Sequence, residues 1–244
     1  MHTEDVTAIV TAMTDSERPF LAECLNSIIS DPGIARAIVC IQNSNAWIDE
    51  VLALVRADSR LQILRLPLLP PGVVRNRALD HVKTEWVAYC DGDDAWCKGK
   101  TLTQRNHALK NNLEFVGGDH YLTDEPGRVR AIALAMYLPM TSSWMARSKT
   151  MREHPFEDEK YPSRIEDHNW WFKTGDAIRK GRCPQLVLRY RVRPVSLSTA
   201  EPSKARKVRV VALASIPVVG LGVLVLTWCA WLVNRRKYYR RLLK

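Results

Sequence analysis

The chain has 244 residues, 46% hydrophobic and 25% charged, enough for one domain with a substantial core and an appendage. Its net charge of +10 sits at one end: residues 203–244 carry ten Lys/Arg and no Asp or Glu, leaving 26 basic against 26 acidic residues elsewhere. A balanced body argues against nucleic acid as a partner, because nucleic-acid binding asks for a basic face on the folded part.

The opening MHTEDVTAIVTAM is acidic, and its apolar stretch is too short and wrongly flanked for a signal peptide. VTAIVTA (6–12) reads as a strand and 18–30 as a helix, with Phe20, Leu21, Cys24, Leu25 and Ile28 on one face. AIVCI (37–41) reads as a strand, 47–56 as a helix and LQILRL (61–66) as a strand. Next come a helix over 72–83, with Val74, Ala78 and Val82 four apart, and the strand WVAYC (86–90). Uninterrupted apolar strands between amphipathic helices predict an open, mostly parallel α/β sheet covered on both faces. Such sheets bind ligands beyond the carboxyl ends of their strands. After residue 110 the pattern mixes: strands at 113–118, 128–134 and 185–192, helices around 142–153 and 167–180. The six cysteines (24, 40, 90, 97, 183, 229) show no CxxC spacing and read as free thiols, consistent with a reducing, cytoplasmic setting for the body.

Residues 210–233, VVALASIPVVGLGVLVLTWCAWLV, form a 24-residue stretch without a charge, and about 20 such residues cross a bilayer as a helix. Pro217, Gly220 and Gly222 interrupt it, and basic clusters flank both ends, which favours the cytoplasmic side for each. Two arrangements stay open: a straight membrane helix, or a re-entrant helical hairpin bent near Pro217–Gly222. The basic residues, with Tyr238 and Tyr239, are expected to meet anionic lipid headgroups. The expected organisation is a folded domain over 1–200, a basic juxtamembrane linker at 201–209, the membrane segment at 210–233 and a basic tail at 234–244.

VAYCDGDDAW (87–96) places Asp91, Asp93 and Asp94 directly after an apolar strand. Three carboxylates so close resist ionising together unless a cation neutralises them. Hard oxygen ligands suit Mg²⁺ or Mn²⁺, and magnesium-type sites combine one or two carboxylates with substrate phosphates. The chain has neither GxxxxGK[ST] nor GxGxxG, so phosphates must be held by metal and basic side chains. A solvated acidic turn is the alternative for such a cluster in isolation.

Four segments in order carry a resemblance: VTAIVTAMTDSERPFLAECLNSII, PPGVVRNRALDHVKTEWVAYCDGDDAW, IEDHNWWFK and LRYRVRPVSLS. Together, over most of 5–200, they resemble a glycosyltransferase family 2 enzyme with the GT-A fold and its DxD motif. The resemblance implies transfer of a sugar from a nucleotide-diphosphate donor, a UDP-sugar favoured, to an acceptor hydroxyl, with Mn²⁺ or Mg²⁺ on the diphosphate. It implies Asp93 as the main metal ligand, Asp91 facing the ribose or the metal, and Asp94 supporting either. Thr11, Ala12 and Met13 would line the nucleoside pocket, and Arg75, rather than Arg77, would reach the diphosphate.

The acceptor hydroxyl must lose its proton as it attacks, so a carboxylate has to lie within hydrogen-bond reach. Glu166 and Asp167 stand at the start of an expected helix, where the dipole favours the ionised form. By the family's ED motif Asp167 is the base, and Glu166 orients or caps. One base and no second nucleophile imply inversion. Trp170 and Trp171 either stack on an acceptor sugar or fill the core, with core expected for one of them. His168 reads as a neighbour rather than a ligand.

Two departures from the family stand out. Where relatives carry an acidic base-reading residue after the second strand, this chain has Gln42 and Asn43. Where some relatives place a histidine on the metal or diphosphate, it has Arg193, which cannot ligate metal but pairs with phosphate oxygens. The reading is a membrane-attached glycosyltransferase on the cytoplasmic face, acting on a lipid-linked glycan or glycolipid acceptor. The alternatives are a polyprenyl-phosphate glycosyltransferase and a catalytically inactive, membrane-tethered nucleotide-binding module.

Overall fold

The computed structural model describes residues 5–55, 58–135, 138–157 and 166–193, with two isolated positions, 225 and 229. Its strands are β1 (Val6–Ala12), β2 (Ile34–Gln42), β3 (Leu61–Leu66), β4 (Trp86–Asp91), β5 (Ala95–Trp96), β6 (Phe115–Thr123), β7 (Val129–Ala133), β8 (Met145–Arg147) and β9 (Lys180–Arg191). The helices are α1 (Arg18–Ile29), α2 (Ile48–Leu54), α3 (Pro71–Leu79), α4 (Lys100–Lys110), α5 (Ser148–Glu153) and α6 (Glu166–Thr174). The strands form one sheet in the order β3-β2-β1-β4-β8-β6-β9-β5, with β7 paired outside β6.

The first half follows from its hydrophobic pattern. Every residue of β1 is buried, as a strand covered on both faces requires. Val6, Ala8, Val10 and Ala12 join one core cluster with Leu21, Leu25 and Ile28 of α1, while Ile9 joins the other with Val74 and Ala78 of α3. This two-residue alternation sorts side chains between the two helical layers. Each of the three α1 anchors contributes roughly 1.5–3 kcal/mol by leaving water. Phe20, expected on that face, is only half-buried and lies under two guanidinium groups instead. Pro71 opens α3 at a position where its missing N–H costs nothing.

The second half departs from the expected elements. The parallel arrangement holds for β3-β2-β1-β4 and for β6 with β9, whereas β4–β8, β6–β8, β6–β7 and β5–β9 are antiparallel. The helix expected over 142–153 splits into a 3₁₀ turn (Thr141–Ser143), strand β8 and the short α5. Met145 and Ala146 are buried on opposite faces, the pattern of a covered strand. The helix expected to reach 180 ends at Thr174. β9 begins five residues before the expected 185, because the chain passes Pro184 through an irregularity in register (Gly118 opposite Cys183, Asp119 opposite Leu186). No helix among the described residues is long and apolar enough to cross a membrane; the segment 210–233 lies outside them, apart from positions 225 and 229.

Candidate active site

The site begins where β1 and β4 end side by side. Thr11 and Asp91 are register partners in these parallel strands, so their side chains emerge on the same face. The Thr11 hydroxyl donates to Asp91 Oδ1 at 2.8 Å. The chain then turns at Gly92, whose N–H donates to the Thr11 carbonyl at 2.8 Å. A Cβ at Gly92 would stand 2.9 Å from Ala12 Cβ and 3.1 Å from the Thr11 carbonyl oxygen. Only glycine lets the acidic loop fold back this tightly.

Arg75, on the sheet-facing side of α3 and 4% exposed, holds two distant segments together. Its Nη2 donates to Asp91 Oδ1 at 2.8 Å and its Nη1 to Glu166 Oε1 at 2.7 Å. Burial opposes the guanidinium's charge, but the two carboxylates outweigh it and its pKa rises. Glu166 can reach because α3 and α6 approach closely: a Cβ at Gly72 would lie 3.1 Å from Glu166 Cβ. Burial pushes the Glu166 carboxyl up, Arg75 opposes this, and the neighbouring Asp167 adds to it.

Asp167 projects beside this pair. Its Oδ1 accepts the backbone N–H of His168 at 2.8 Å and lies 2.8 Å from His168 Nδ1, and its Oδ2 accepts the Thr141 hydroxyl at 3.3 Å. Burial alone would raise its pKa. The His168 charge and hydrogen bonds, with Arg75 behind them, hold it well below the usual carboxylate range. Asp167 is therefore held as the carboxylate, the form a proton acceptor requires, with its basicity reduced.

The other two loop acids diverge. Asp93 Oδ2 accepts Arg193 Nη2 at 2.5 Å, and Arg193 Nη1 donates to the Ser16 carbonyl at 3.0 Å. Burial raises the Asp93 pKa, Arg193 opposes the rise and Asp91 adds to it. Asp94 turns inward, 1% exposed, with Oδ1 accepting the Arg191 N–H at 2.8 Å. Its pKa is pushed well up by burial and then by Asp93 and Asp91. Asp94 thus ties the loop to β9.

Residues 8–179 match the family described as Glycosyl transferase family 2. The chain belongs to that family. Among solved structures, S. aureus TarS residues 1–349 in complex with UDP-GlcNAc superposes with a TM-score of 0.65 at 14% identity, covering 90% of this chain and 70% of that one. The mannosyltransferase PcManGT from Pyrobaculum calidifontis, in complex with GDP-Man and Mn²⁺, gives 0.65 at 15% identity over 87% of this chain and 64% of its own. At these identities the likeness shows a shared GT-A-like fold. By sequence, the chain matches no curated protein.

In this glycosyltransferase, the residues expected around the nucleoside gather at the carboxyl ends of β1 and β2. Ala12 points into the core, so only its backbone faces the crevice. Met13 is buried, and its carbonyl accepts Asn45 Nδ2 at 3.4 Å. Gln42 is half-buried at the end of β2, and the exposed Asn43 donates its N–H to the Leu66 carbonyl at 2.8 Å. Asn45, 6% exposed, was not singled out from the sequence. Nor was Arg191, whose Nε donates to the Asp93 carbonyl at 2.8 Å and Nη2 to Glu23 at 2.6 Å. Its signal was there: arginines recur at 189, 191 and 193 through the end of β9, and Arg191 and Arg193 both lie over Phe20. Trp170 fills the core, while Trp171 is half-buried beneath Lys180 Nζ, 4.7 Å from its ring centroid.

Among the described residues, no three His, Cys, Asp or Glu side chains are arranged to hold a metal unaided. Two carboxylates do fit the chemistry. The hydrogen bonds of Asp91 fall on Oδ1, its side chain is 37% exposed, and Asp93 stands two residues on under the strain of like charge. That donor set suits a Mg²⁺-type ion completed by ligand phosphates.

Proposed function

We propose that the protein transfers a sugar, with inversion, from a nucleotide-diphosphate sugar to an acceptor hydroxyl, and that UDP is the favoured carrier. The observation that carries this reading is the Arg75 bridge. It brings Asp91 of the acidic loop and Glu166 beside Asp167 onto one rim, at the strand ends where open α/β sheets bind ligands. Asp93 and Asp91 would hold a divalent cation, Mn²⁺ or Mg²⁺, whose contribution is to neutralise charge on the departing diphosphate. Thr11, Met13, Gln42 and Asn43 would line the nucleoside side.

In the transfer, the acceptor oxygen forms a bond to the anomeric carbon while the bond from that carbon to the diphosphate oxygen breaks, its electron pair leaving with the nucleotide. Asp167 takes the acceptor's proton, held in place by His168 and Thr141. A single displacement of this kind inverts the anomeric centre. Glu166 does not take part in proton transfer: its charge is committed to Arg75.

The further reading is membrane attachment. Residues 210–233, uncharged over 24 positions and flanked by basic clusters, would anchor the domain on the cytoplasmic face beside anionic lipids and a lipid-linked glycan or glycolipid acceptor. Titration calorimetry tests the donor site: UDP and GDP into the detergent-solubilised chain, with and without Mn²⁺, for wild type and Asp93→Asn. Metal-dependent binding lost in the variant supports the assignment, and absence of binding by either nucleotide with metal present overturns it. NMR of the first product reads the stereochemistry, where retained configuration overturns inversion.

A further inference from the structure

Arg193 is placed unlike a resting surface arginine. Its side chain is 10% exposed and its guanidinium carbon lies 5.4 Å from the Phe20 ring centroid. Among the described residues two of its three nitrogens are engaged, Nη2 on Asp93 Oδ2 and Nη1 on the Ser16 carbonyl, while Nε is buried with no acceptor. A buried donor left unmatched is costly, and a planar guanidinium favours an anion that can take two parallel hydrogen bonds. Asp93 meets it through one oxygen only.

By the donor-site reading, Asp93 together with Asp91 would hold the divalent cation. Asp93 stands two residues from Asp91 on the loop that folds back over Thr11 at Gly92, with Oδ2 covered by Arg193. A cation at Asp93 would repel the guanidinium 2.5 Å from Oδ2. Diphosphate oxygens arriving with the cation offer that guanidinium the bidentate partner it lacks. We infer that Arg193 is an exchanging latch: it neutralises Asp93 in the empty site and transfers to the donor's diphosphate when a divalent cation takes the carboxylate. Cation and nucleotide then bind with positive coupling, because each removes an obstacle to the other. Ser16 and Phe20 keep the guanidinium at the same rim in both positions. This inference rests on the donor-site reading above.

The latch predicts effects of opposite sign from one substitution. Arg193→Gln frees Asp93, so Mn²⁺ alone should bind about tenfold more tightly, while UDP in the presence of Mn²⁺ should bind about tenfold more weakly. The free-ion electron paramagnetic resonance signal of Mn²⁺, titrated against the detergent-solubilised full chain with and without UDP, reads both constants without any turnover. Arg193→Lys keeps the positive charge but loses the fork. It should leave Mn²⁺ affinity near wild type and still weaken UDP, which guards against misreading a folding defect in the Gln variant. If Arg193→Gln leaves Mn²⁺ affinity unchanged or lowers it, or if UDP affinity is unaffected by both variants, the latch is wrong while the donor site stands. A wild type that binds neither Mn²⁺ nor UDP removes both.

Discussion

Arg75 and Glu166 meet at 2.7 Å across 91 positions of sequence, and the same guanidinium also reaches Asp91 at 2.8 Å. This carboxylate–guanidinium–carboxylate arrangement joins the two acidic motifs. Because Arg75 is 4% exposed, its charge is matched inside the protein rather than by water.

Removing that guanidinium leaves two carboxylates facing a buried gap. Arg75→Met should destabilise the fold by about 3–5 kcal/mol, the usual result of breaking a buried ion pair from one side. Thermal unfolding measures this. Arg75→Met paired with Glu166→Gln should recover part of the loss, since the double change removes one orphaned charge. A purely additive pair would mean that Arg75 and Glu166 do not interact energetically.

With Asp167 as the proposed base, His168 should set the acid limit of the reaction. Asp167 titrates well below its ordinary value because His168 opposes the effect of burial. A carboxylate with a depressed folded pKa adds stability above its unfolded value, and that stability disappears as pH falls through the folded pKa. In wild type the loss therefore comes only in strongly acidic solution. His168→Phe should move both the acid limb of the rate profile and the acid-unfolding midpoint to higher pH. A rate profile with an unmoved acid limb would separate Asp167 from proton transfer.

The sheet and its strand-end crevice were legible because β1, β2 and β4 are apolar runs that only a doubly covered strand accommodates. The acidic loop and Asp167 were legible as residue types at element boundaries. What the sequence did not disclose were partnerships at long range. Arg75 was singled out over Arg77 for the diphosphate, and nothing local marks it as the partner of Glu166. Asp94 was read as supporting the ribose or the metal, and nothing local disclosed that it turns inward onto β9 where the loop reverses at Gly92. β8 escaped because a three-residue strand is too short to show alternation.

Gly92 should resist any side chain. Its Cβ would stand 2.9 Å from Ala12 Cβ, and forcing an extra carbon into a packed region costs about 1–3 kcal/mol. The acidic loop would move to relieve the clash, so Gly92→Ala should weaken Mn²⁺-dependent UDP binding more than it lowers thermal stability. Ala12→Gly in the same chain removes the nearest contact and should restore part of the binding. Unchanged binding in Gly92→Ala would show that the loop tolerates displacement.

Lys100 offers a test of the fold away from the site. Lys100 is 1% exposed, and its ammonium lies 4.3 Å from the Trp96 ring centroid and donates to the Trp144 carbonyl at 3.3 Å. Burial lowers its pKa to about 8, with the Asp31 carboxylate opposing through its charge. The unfolded chain therefore binds a proton more tightly at this position than the folded one. Stability contributed here should rise as pH climbs from about 8 towards the ordinary lysine value, and the penalty is complete below pH 8. That penalty is on the order of 3 kcal/mol, offset in part by the ring and carbonyl contacts. Lys100→Met keeps the volume and removes the charge, so at pH 7 it should stabilise the protein by about 1–2 kcal/mol. The gain over wild type should shrink steadily between pH 8 and 10. Comparing the two proteins at each pH cancels the titration of every other group. A gain that stays constant with pH would mean that Lys100 is solvated in the folded protein, and a loss at pH 7 would mean that the Trp96 and Trp144 contacts outweigh desolvation.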